Sequence, residues 1–217
     1  MDQKNFMDEF MKAANQDLTP KQAKILQAAV EIFAEKGYAA TSTSEIAKRA
    51  GVAEGTIFRH YKTKKDLLIS IVSPIIIEFA VPLFAERFIN EVFQDQRLDD
   101  FEDLLRKIIR NRYQFVKNNV PLLKIFFQEM AFHAEIQEKF SAVFTEKVLP
   151  QFIKVVNHFK QNGQIGDFPT ETVIRLTINA IVGFFITRFL VMPDYPWDDE
   201  KEMEYTIQFI RNGLKGI

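Results

Sequence analysis

Apolar residues recur with the period of an α-helix along almost the whole chain. Thr19-Pro20, a hydroxyl residue followed by proline, is typical of a helix start, and Gly37 is typical of a helix end. Between them lies one apolar face, made of Ile25, Ala28, Ala29, Ile32 and Phe33. No segment alternates apolar and polar residues convincingly, as a half-buried strand would. The pattern therefore predicts an all-α protein whose first helix spans residues 20–36.

Two short helices are predicted next, with a glycine between them. Ser42 is followed three residues later by Glu45, which is the spacing of a capping box, so a helix should begin there. Gly51 should end this helix, because glycine adopts the left-handed conformation without a steric penalty. The second short helix is predicted over residues 54–61.

From residue 63 onward the chain is predicted to be helical throughout. Thr63 and Asp66 form a cap pair that opens a fourth helix, and Pro74 is expected to kink or end it. The helices predicted after Pro74 lie near 75–94, 99–118, 121–133, 135–161, 169–191 and 198–214. The fold class is thus a small helical unit followed by a larger helical bundle.

Charge divides the chain in the same way. The whole chain has a formal net charge of -1, but residues 19–66 carry nine basic and five acidic residues. Residues 1–18 and 67–217 are each mildly acidic. A local basic surface attracts a polyanion even when the whole chain is nearly neutral. We therefore divide the chain into an N-terminal extension (1–18), a basic helical module (19–66) and a large helical domain (67–217).

Composition excludes several classes of site. The 217 residues include no cysteine, which excludes disulfides, thiolate metal sites and cysteine nucleophiles. Glu129 and His133 have the spacing of a metal-binding pair, but no third ligand accompanies them. No nucleophile–base pair or phosphate loop is recognisable, so we predict no enzymatic activity, no cofactor and no metal. Because neither a secretory signal nor an uninterrupted membrane span is visible, we expect a cytoplasmic protein.

The two short helices, joined by residues 51–53, describe a helix-turn-helix. In this motif the second helix enters the major groove of DNA and presents its N-terminal half to the base edges. That half is residues 54–56 here. Gly55 leaves room for a close approach of the backbone to DNA, and Thr56 offers a hydroxyl group. The motif therefore predicts that double-stranded DNA is a partner.

This stretch resembles the DNA-binding domain of the tetracycline-repressor-like (TetR) family. The residues that carry the resemblance lie at 25–38, 41–47 and 50–68, the last of them ending in GVAEGTIFRHYKTKKDLL. The resemblance covers about residues 21–70, a quarter of the chain. It implies a homodimeric transcriptional repressor that binds a near-palindromic operator and is released by a small apolar or amphipathic effector.

The resemblance also implies a set of DNA contacts. The positions that match are Ser44, Glu54, Gly55, Thr56, Phe58, Arg59, His60 and Lys64. Phe58 stands where tyrosine is common, and phenylalanine cannot donate a hydrogen bond to a phosphate. We therefore expect an apolar contact at Phe58, such as one with a thymine methyl group. Ala53 stands where serine is common, so a hydroxyl that would cap the helix or touch DNA is missing.

The larger domain has features compatible with dimerisation and ligand binding. The expected dimer interface comprises Ala180, Gly183, Thr187, Met203, Ile207, Ile210 and Leu214. The alternative is that both helix faces pack only within the monomer.

Eighteen of the 22 phenylalanines lie beyond residue 75, which favours an aromatic-lined cavity as well as an ordinary core. The candidate ligand contacts are Arg112, Phe127, Met130, His133 and Phe184. The competing function is a DNA-binding regulator or architectural protein without a small-molecule effector.

Overall fold

The computed structural model describes residues 18–80 and 100–215, with residues 75–80 described by their backbone alone. Every regular element within these ranges is helical, which confirms the predicted all-α fold. The first four helices are α1 (Pro20–Lys36), α2 (Thr43–Ala50), α3 (Glu54–His60) and α4 (Lys64–Ala80). The others are α5 (Phe101–Asn118), α6 (Val120–Met130), α7 (Ala134–Val143), α8 (Leu149–Gln161), α9 (Thr170–Ile186) and α10 (Asp199–Leu214).

The helix α1 begins and ends where its sequence signals predict. The Thr19 hydroxyl accepts a hydrogen bond from the Gln22 backbone N–H at 3.3 Å, and the Gln22 side chain accepts one from the Thr19 N–H at 3.0 Å. This reciprocal pair satisfies two backbone donors that a helix start would otherwise leave without partners. Gly37 follows Lys36 with φ of 84°, a conformation that costs glycine little.

The chain divides into two compact units. The first contains residues 1–79 and 118–142, and the second contains residues 80–117 and 143–217. In the first unit, α1 packs against α2 and α6, while α2 packs against α3. Its fully buried side chains include Ile25, Phe33, Ile46, Ile57, Leu67, Leu68, Ile71 and Ile125. The helix-turn-helix is therefore built on a continuous apolar core.

In the second unit, α9 packs against both α8 and α10. Its most deeply buried side chains include Leu104, Leu105, Ile109, Phe159, Val173 and Ile207. Arg106 of α5 joins α10 through hydrogen bonds to Glu204 at 3.0 and 3.1 Å, and it also bonds Glu102 at 2.9 Å. A charged network thus reinforces the apolar packing between α5 and α10.

Three predicted helices differ from the structure. The helix predicted over 121–133 ends at Met130, where a turn follows. The helix predicted over 135–161 is divided into α7, a π-helical turn (Phe144–Val148) and α8. Pro150 explains that division, since its ring collides with the carbonyl four residues earlier and the wider π-turn relieves the clash. The helix predicted over 169–191 likewise ends in a π-helical turn, Thr187–Val191.

Pro74 does not end its helix. It lies buried inside α4, which continues to Ala80. The alternative that Pro74 ends the helix is therefore wrong, whereas the alternative of a kink at Pro74 stays a prediction. The helix predicted over 75–94 lies outside the described residues from residue 81 onward. The same is true of the N-terminal extension up to residue 17.

Candidate nucleic-acid interface

The turn between α2 and α3 is formed by local backbone chemistry. Ser42 and Glu45 make the predicted capping box, with the Ser42 N–H donating to the Glu45 carboxylate at 2.9 Å. Gly51 takes the left-handed conformation, with φ of 66° and ψ of 36°. The backbone N–H groups of Gly51 and Val52 then return to carbonyls of the last turn of α2. These bonds satisfy the helix end and redirect the chain into α3.

The helix α3 exposes one face and buries the other. Ile57 is completely buried, which anchors the helix to the core. Gly55, Phe58, Arg59 and His60 are exposed, and Phe58 retains 47% of its accessible surface. Phe58 therefore adds apolar surface to the exposed face of this seven-residue helix. Thr56 is half-buried at the edge of the exposed face.

Gly55 has no steric role inside the protein. A Cβ atom added there would meet no heavy atom within 4 Å. Its backbone lies in α3, so no positive φ requires glycine either. The space over Gly55 is open to the outside, where a backbone without a side chain allows a macromolecule to approach closely.

Glu54 is held by a residue that sequence analysis did not single out. Its carboxylate Oε1 accepts a hydrogen bond from the Thr43 hydroxyl at 2.6 Å. Thr43 is the first residue of α2, and Glu54 is the first residue of α3. The pair therefore joins the beginnings of the two short helices. Eleven residues separate the partners, so no local motif could have signalled the bond.

Lys64 is bonded within the first unit. Its ammonium donates to the carbonyls of Tyr38 and Thr41 at 2.8 and 2.7 Å and lies 4.3 Å from the centre of the Tyr38 ring. An ammonium has three donors, so two of them hold the loop between α1 and α2. The phosphate contact expected for Lys64 stays a prediction.

Several charges of the basic module are paired on its own helices. Arg49 of α2 bonds Glu31 and Glu35 of α1 at 3.3–3.4 Å. Lys36 bonds Glu45, and this bond, together with the one from the Ser42 backbone, lowers the pKa of Glu45 to about 2. The count of basic residues therefore overstates the number of cations that α1 and α2 can offer to a polyanion. The exposed cation of α3 is Arg59, and Ser44 is exposed near the start of α2.

Comparison with known proteins agrees with this geometry. Residues 25–71 match the family described as bacterial regulatory proteins, tetR family. The fatty acid metabolism regulator protein of Bacillus subtilis is 54% identical over 52 residues, which are 24% of this chain and 27% of that protein. The uncharacterized HTH-type transcriptional regulator YvkB of the same organism is 27% identical over 208 residues, covering 91% of this chain and 98% of its own.

The fold is shared along most of the chain. The crystal structure of the transcriptional regulator FadR from Bacillus subtilis, in complex with stearoyl-CoA, has a TM-score of 0.63 and is 24% identical. It covers 88% of this chain and 98% of its own. Residues 25–71 therefore form a TetR-family DNA-binding domain. The protein is an all-α transcriptional regulator that binds DNA through this helix-turn-helix, and its relatives are regulators rather than enzymes.

The predicted ligand contacts of the protein fall in both units. Phe127, Met130 and His133 belong to the first unit, where the His133 Nε2 atom lies 3.2 Å from the Glu129 carboxylate. Arg112 and Phe184 belong to the second unit. Arg112 is buried, with its guanidinium 5.1 Å from the Phe115 ring. Among the described residues, no group of three side chains has the arrangement of a metal site.

A small cavity in the second unit is lined by none of these five residues. Its walls are Phe101, Leu104, Leu105, Ile108, Phe152, Val155, Val156, Ile174 and Thr177. Its volume is about 20 Å³, enough for about one water molecule. The Thr177 hydroxyl oxygen is buried in this wall and has no hydrogen-bond partner within the described part of the chain.

The expected dimer face of α10 is corrected by the structure. Met203, Ile207, Ile210 and Leu214 are at most 4% exposed, so they belong to the core of the second unit and present no surface to a partner. Their apolar spacing marked a buried face, and spacing alone does not say whether the chain itself or a second copy covers it. The opposite face of α10 carries the exposed rings of Tyr205 and Phe209 (58% and 73%).

The expected dimer residues of α9 remain accessible. Gly183 is exposed, and Ala180 and Thr187 are half-buried. Leu176 and Val191 add exposed apolar surface to the same helical segment. By length and composition the stretch Thr170–Val191 is apolar enough to cross a membrane, yet the chain buries only 39% of its most apolar window.

Proposed function

We propose that the protein is a cytoplasmic, ligand-responsive repressor that binds a near-palindromic operator as a homodimer and has no enzymatic activity. The observation that carries this proposal is the exposed face of α3. Gly55, Phe58, Arg59 and His60 point away from a helix anchored by the buried Ile57. A short helix with this division of faces suits docking in the major groove.

We propose the following division of labour along the chain. Residues 19–66 bind DNA, and residues 67–217 bind the effector and dimerise. The proposed DNA contacts are Ser44, Gly55, Thr56, Phe58, Arg59 and His60, with Lys64 offering its remaining donor to a phosphate. Phe58 is proposed to contact a thymine methyl group, since its ring is exposed and has no polar atom.

The homodimer is proposed to form through the exposed apolar faces of α9 and α10. Ala180, Gly183 and Thr187 supply small residues for a close crossing, and Tyr205 and Phe209 supply aromatic surface. Two-fold symmetry would then separate the two copies of α3 by about one DNA turn, roughly 34–36 Å. An operator with two inverted half-sites follows from that symmetry.

The proposed effector is a long-chain acyl-CoA, which is amphipathic. Support comes from the fatty acid metabolism regulator that shares 54% identity over 52 residues, and from the FadR structure that holds stearoyl-CoA. Arg112, Phe127, Met130, His133 and Phe184 remain the proposed contacts. An effector releases DNA only if it binds the DNA-incompetent conformation more tightly than the competent one.

Selection from a random duplex library with the purified protein tests the operator proposal. An inverted repeat with half-sites about one helical turn apart is the expected product, and sedimentation of the complex should give two protein chains per duplex. Enrichment of no common sequence would contradict sequence-specific binding.

Stearoyl-CoA should then release the protein from the selected operator, whereas coenzyme A alone should not. If stearoyl-CoA and coenzyme A release the operator to the same extent, the proposal of an acyl-CoA effector is contradicted.

One observation favours the alternative of a regulator without an effector. The cavity lined by described residues of the second unit holds only about one water molecule. A filled bundle would show no saturable stearoyl-CoA binding by calorimetry and no ligand-dependent release. Saturable binding near one site per chain would exclude this alternative.

A further inference from the structure

We infer that Glu54 is a positioning residue which, through Thr43, fixes the angle at which α3 is presented to DNA, and that its charge lowers the affinity for DNA of every sequence. This inference rests on the proposed docking of α3 in the major groove. It assigns Glu54 a role other than the base contact expected from sequence.

The N-terminus of α3 has few stabilising contacts within the helix itself. It has only seven residues, which is below two full turns, and its N-cap residue is Ala53. No side chain at that cap accepts a hydrogen bond from the first turn. Short helices without caps are marginal on their own, so the start of α3 depends on tertiary contacts.

The Thr43–Glu54 bond supplies such a contact. At 2.6 Å, it joins the first residue of α3 to the first residue of α2. The start of α2 is itself fixed, because Ser42 and Glu45 form a capping box and Lys36 of α1 bonds Glu45. These hydrogen bonds, together with the covalent link between Ser42 and Thr43, therefore connect α1 through the start of α2 to Glu54.

A carboxylate at this place also has an electrostatic effect. Glu54 is exposed and negative on the helix that carries the exposed Phe58 and Arg59. A negative charge beside the DNA backbone opposes binding to every sequence. Operator binding can offset this opposition by the base contacts that a correctly placed α3 makes. The charge itself lowers the affinity for operator and non-operator DNA alike, so the preference for the operator depends on the placement of α3.

Four variants separate the positioning bond from the charge. Thr43→Val removes the donor and keeps the shape, while Thr43→Ser keeps the donor. Glu54→Ala removes both acceptor and charge, while Glu54→Gln keeps an acceptor and removes the charge. Glu138→Gln, at an exposed glutamate of α7, is the matched control for the loss of one negative charge.

Affinity is measured by fluorescence anisotropy for the operator selected from the random library and for a scrambled duplex of the same composition. Thr43→Val and Glu54→Ala should each weaken operator binding by about tenfold and should not weaken binding to the scrambled duplex. Thr43→Ser should restore operator affinity to within about threefold. Glu54→Gln should raise the affinity for both duplexes by about threefold and keep the preference for the operator. Glu138→Gln should change neither the affinity for the operator nor the affinity for the scrambled duplex.

The contrary outcomes are distinct. If Glu54 contacts a cytosine amino group instead, Glu54→Gln will lose preference at one base pair and Thr43→Val will have no effect. If the bond only stabilises the fold, the variants will lose affinity for both duplexes in proportion to their lowered melting temperatures. If the wild-type protein does not distinguish the two duplexes, the proposed function fails. Should it distinguish them while Thr43→Val and Glu54→Ala are silent, only this inference fails.

Discussion

Replacing Lys64 with methionine should destabilise the first unit, because the ammonium of Lys64 holds the loop between α1 and α2. It donates to two carbonyls, those of Tyr38 and Thr41, and lies over the Tyr38 ring. Hydrogen bonds to charged groups contribute about 1.5–3 kcal/mol each, and an exposed cation–π contact about 0.5–1 kcal/mol. Because Lys64 is only half-buried, hydration of the ammonium in the unfolded chain offsets part of the stabilisation from these contacts. We therefore expect a net loss of about 2 kcal/mol.

Thermal unfolding followed by circular dichroism measures this loss. For a chain of this size, about 2 kcal/mol lowers the melting temperature by roughly 4–8 °C. Lys62→Met is the matched control, since it removes the same charge from an exposed position two residues away and should leave the melting temperature nearly unchanged. If Lys64→Met has the same melting temperature as the wild-type protein and only reduces the salt dependence of DNA binding, Lys64 is a phosphate contact and this reasoning is wrong.

Three further predictions concern the local structure and the second unit. Gly51→Ala should cost about 1–2 kcal/mol in urea unfolding because alanine is strained at φ of 66°, whereas Gly213→Ala, in an ordinary helix, should not destabilise. Ile57→Ala should cost about 2–5 kcal/mol and abolish operator binding, since it empties the anchor of α3; unchanged operator binding would contradict that anchoring role. The hydrogen bond from Arg106 lowers the pKa of Glu204 below 4.5, so the ion pair stabilises the fold above that pH and its contribution is lost as the carboxylate is protonated in acid. Glu204→Gln should therefore be less stable than the wild type near pH 7 and approach it in acid, and a difference that is the same at both pH values would contradict the assignment.

The helix-turn-helix was predictable because its determinants are local. A capping box needs two residues three apart, and a left-handed turn needs one glycine, so Ser42, Glu45 and Gly51 signal their conformations directly. The same is true of the start of α1 at Thr19. The all-α fold follows from the helical period, which the second unit keeps throughout.

The bonds that position the site were not predictable from spacing. Thr43 meets Glu54 across eleven residues, and Lys64 meets the Tyr38 carbonyl across 26. Both contacts depend on how the helices pack, which a local motif does not encode. The face of α10 around Ile207 shows a second limit. Periodicity identified an apolar face, but whether the chain itself buries that face is decided by the tertiary structure.

The central claim is that this protein recognises a specific DNA sequence with α3 of its TetR-family DNA-binding domain. The most direct test is fluorescence anisotropy of the purified protein with the DNA upstream of its own coding region, and with a scrambled duplex, at two salt concentrations. The account predicts tight binding to the upstream DNA that resists competitor DNA and keeps its preference at the higher salt concentration. Equal affinity for both duplexes, erased alike by salt, would contradict autoregulation at that site. The same equality for the duplex selected from the random library would contradict the claim itself.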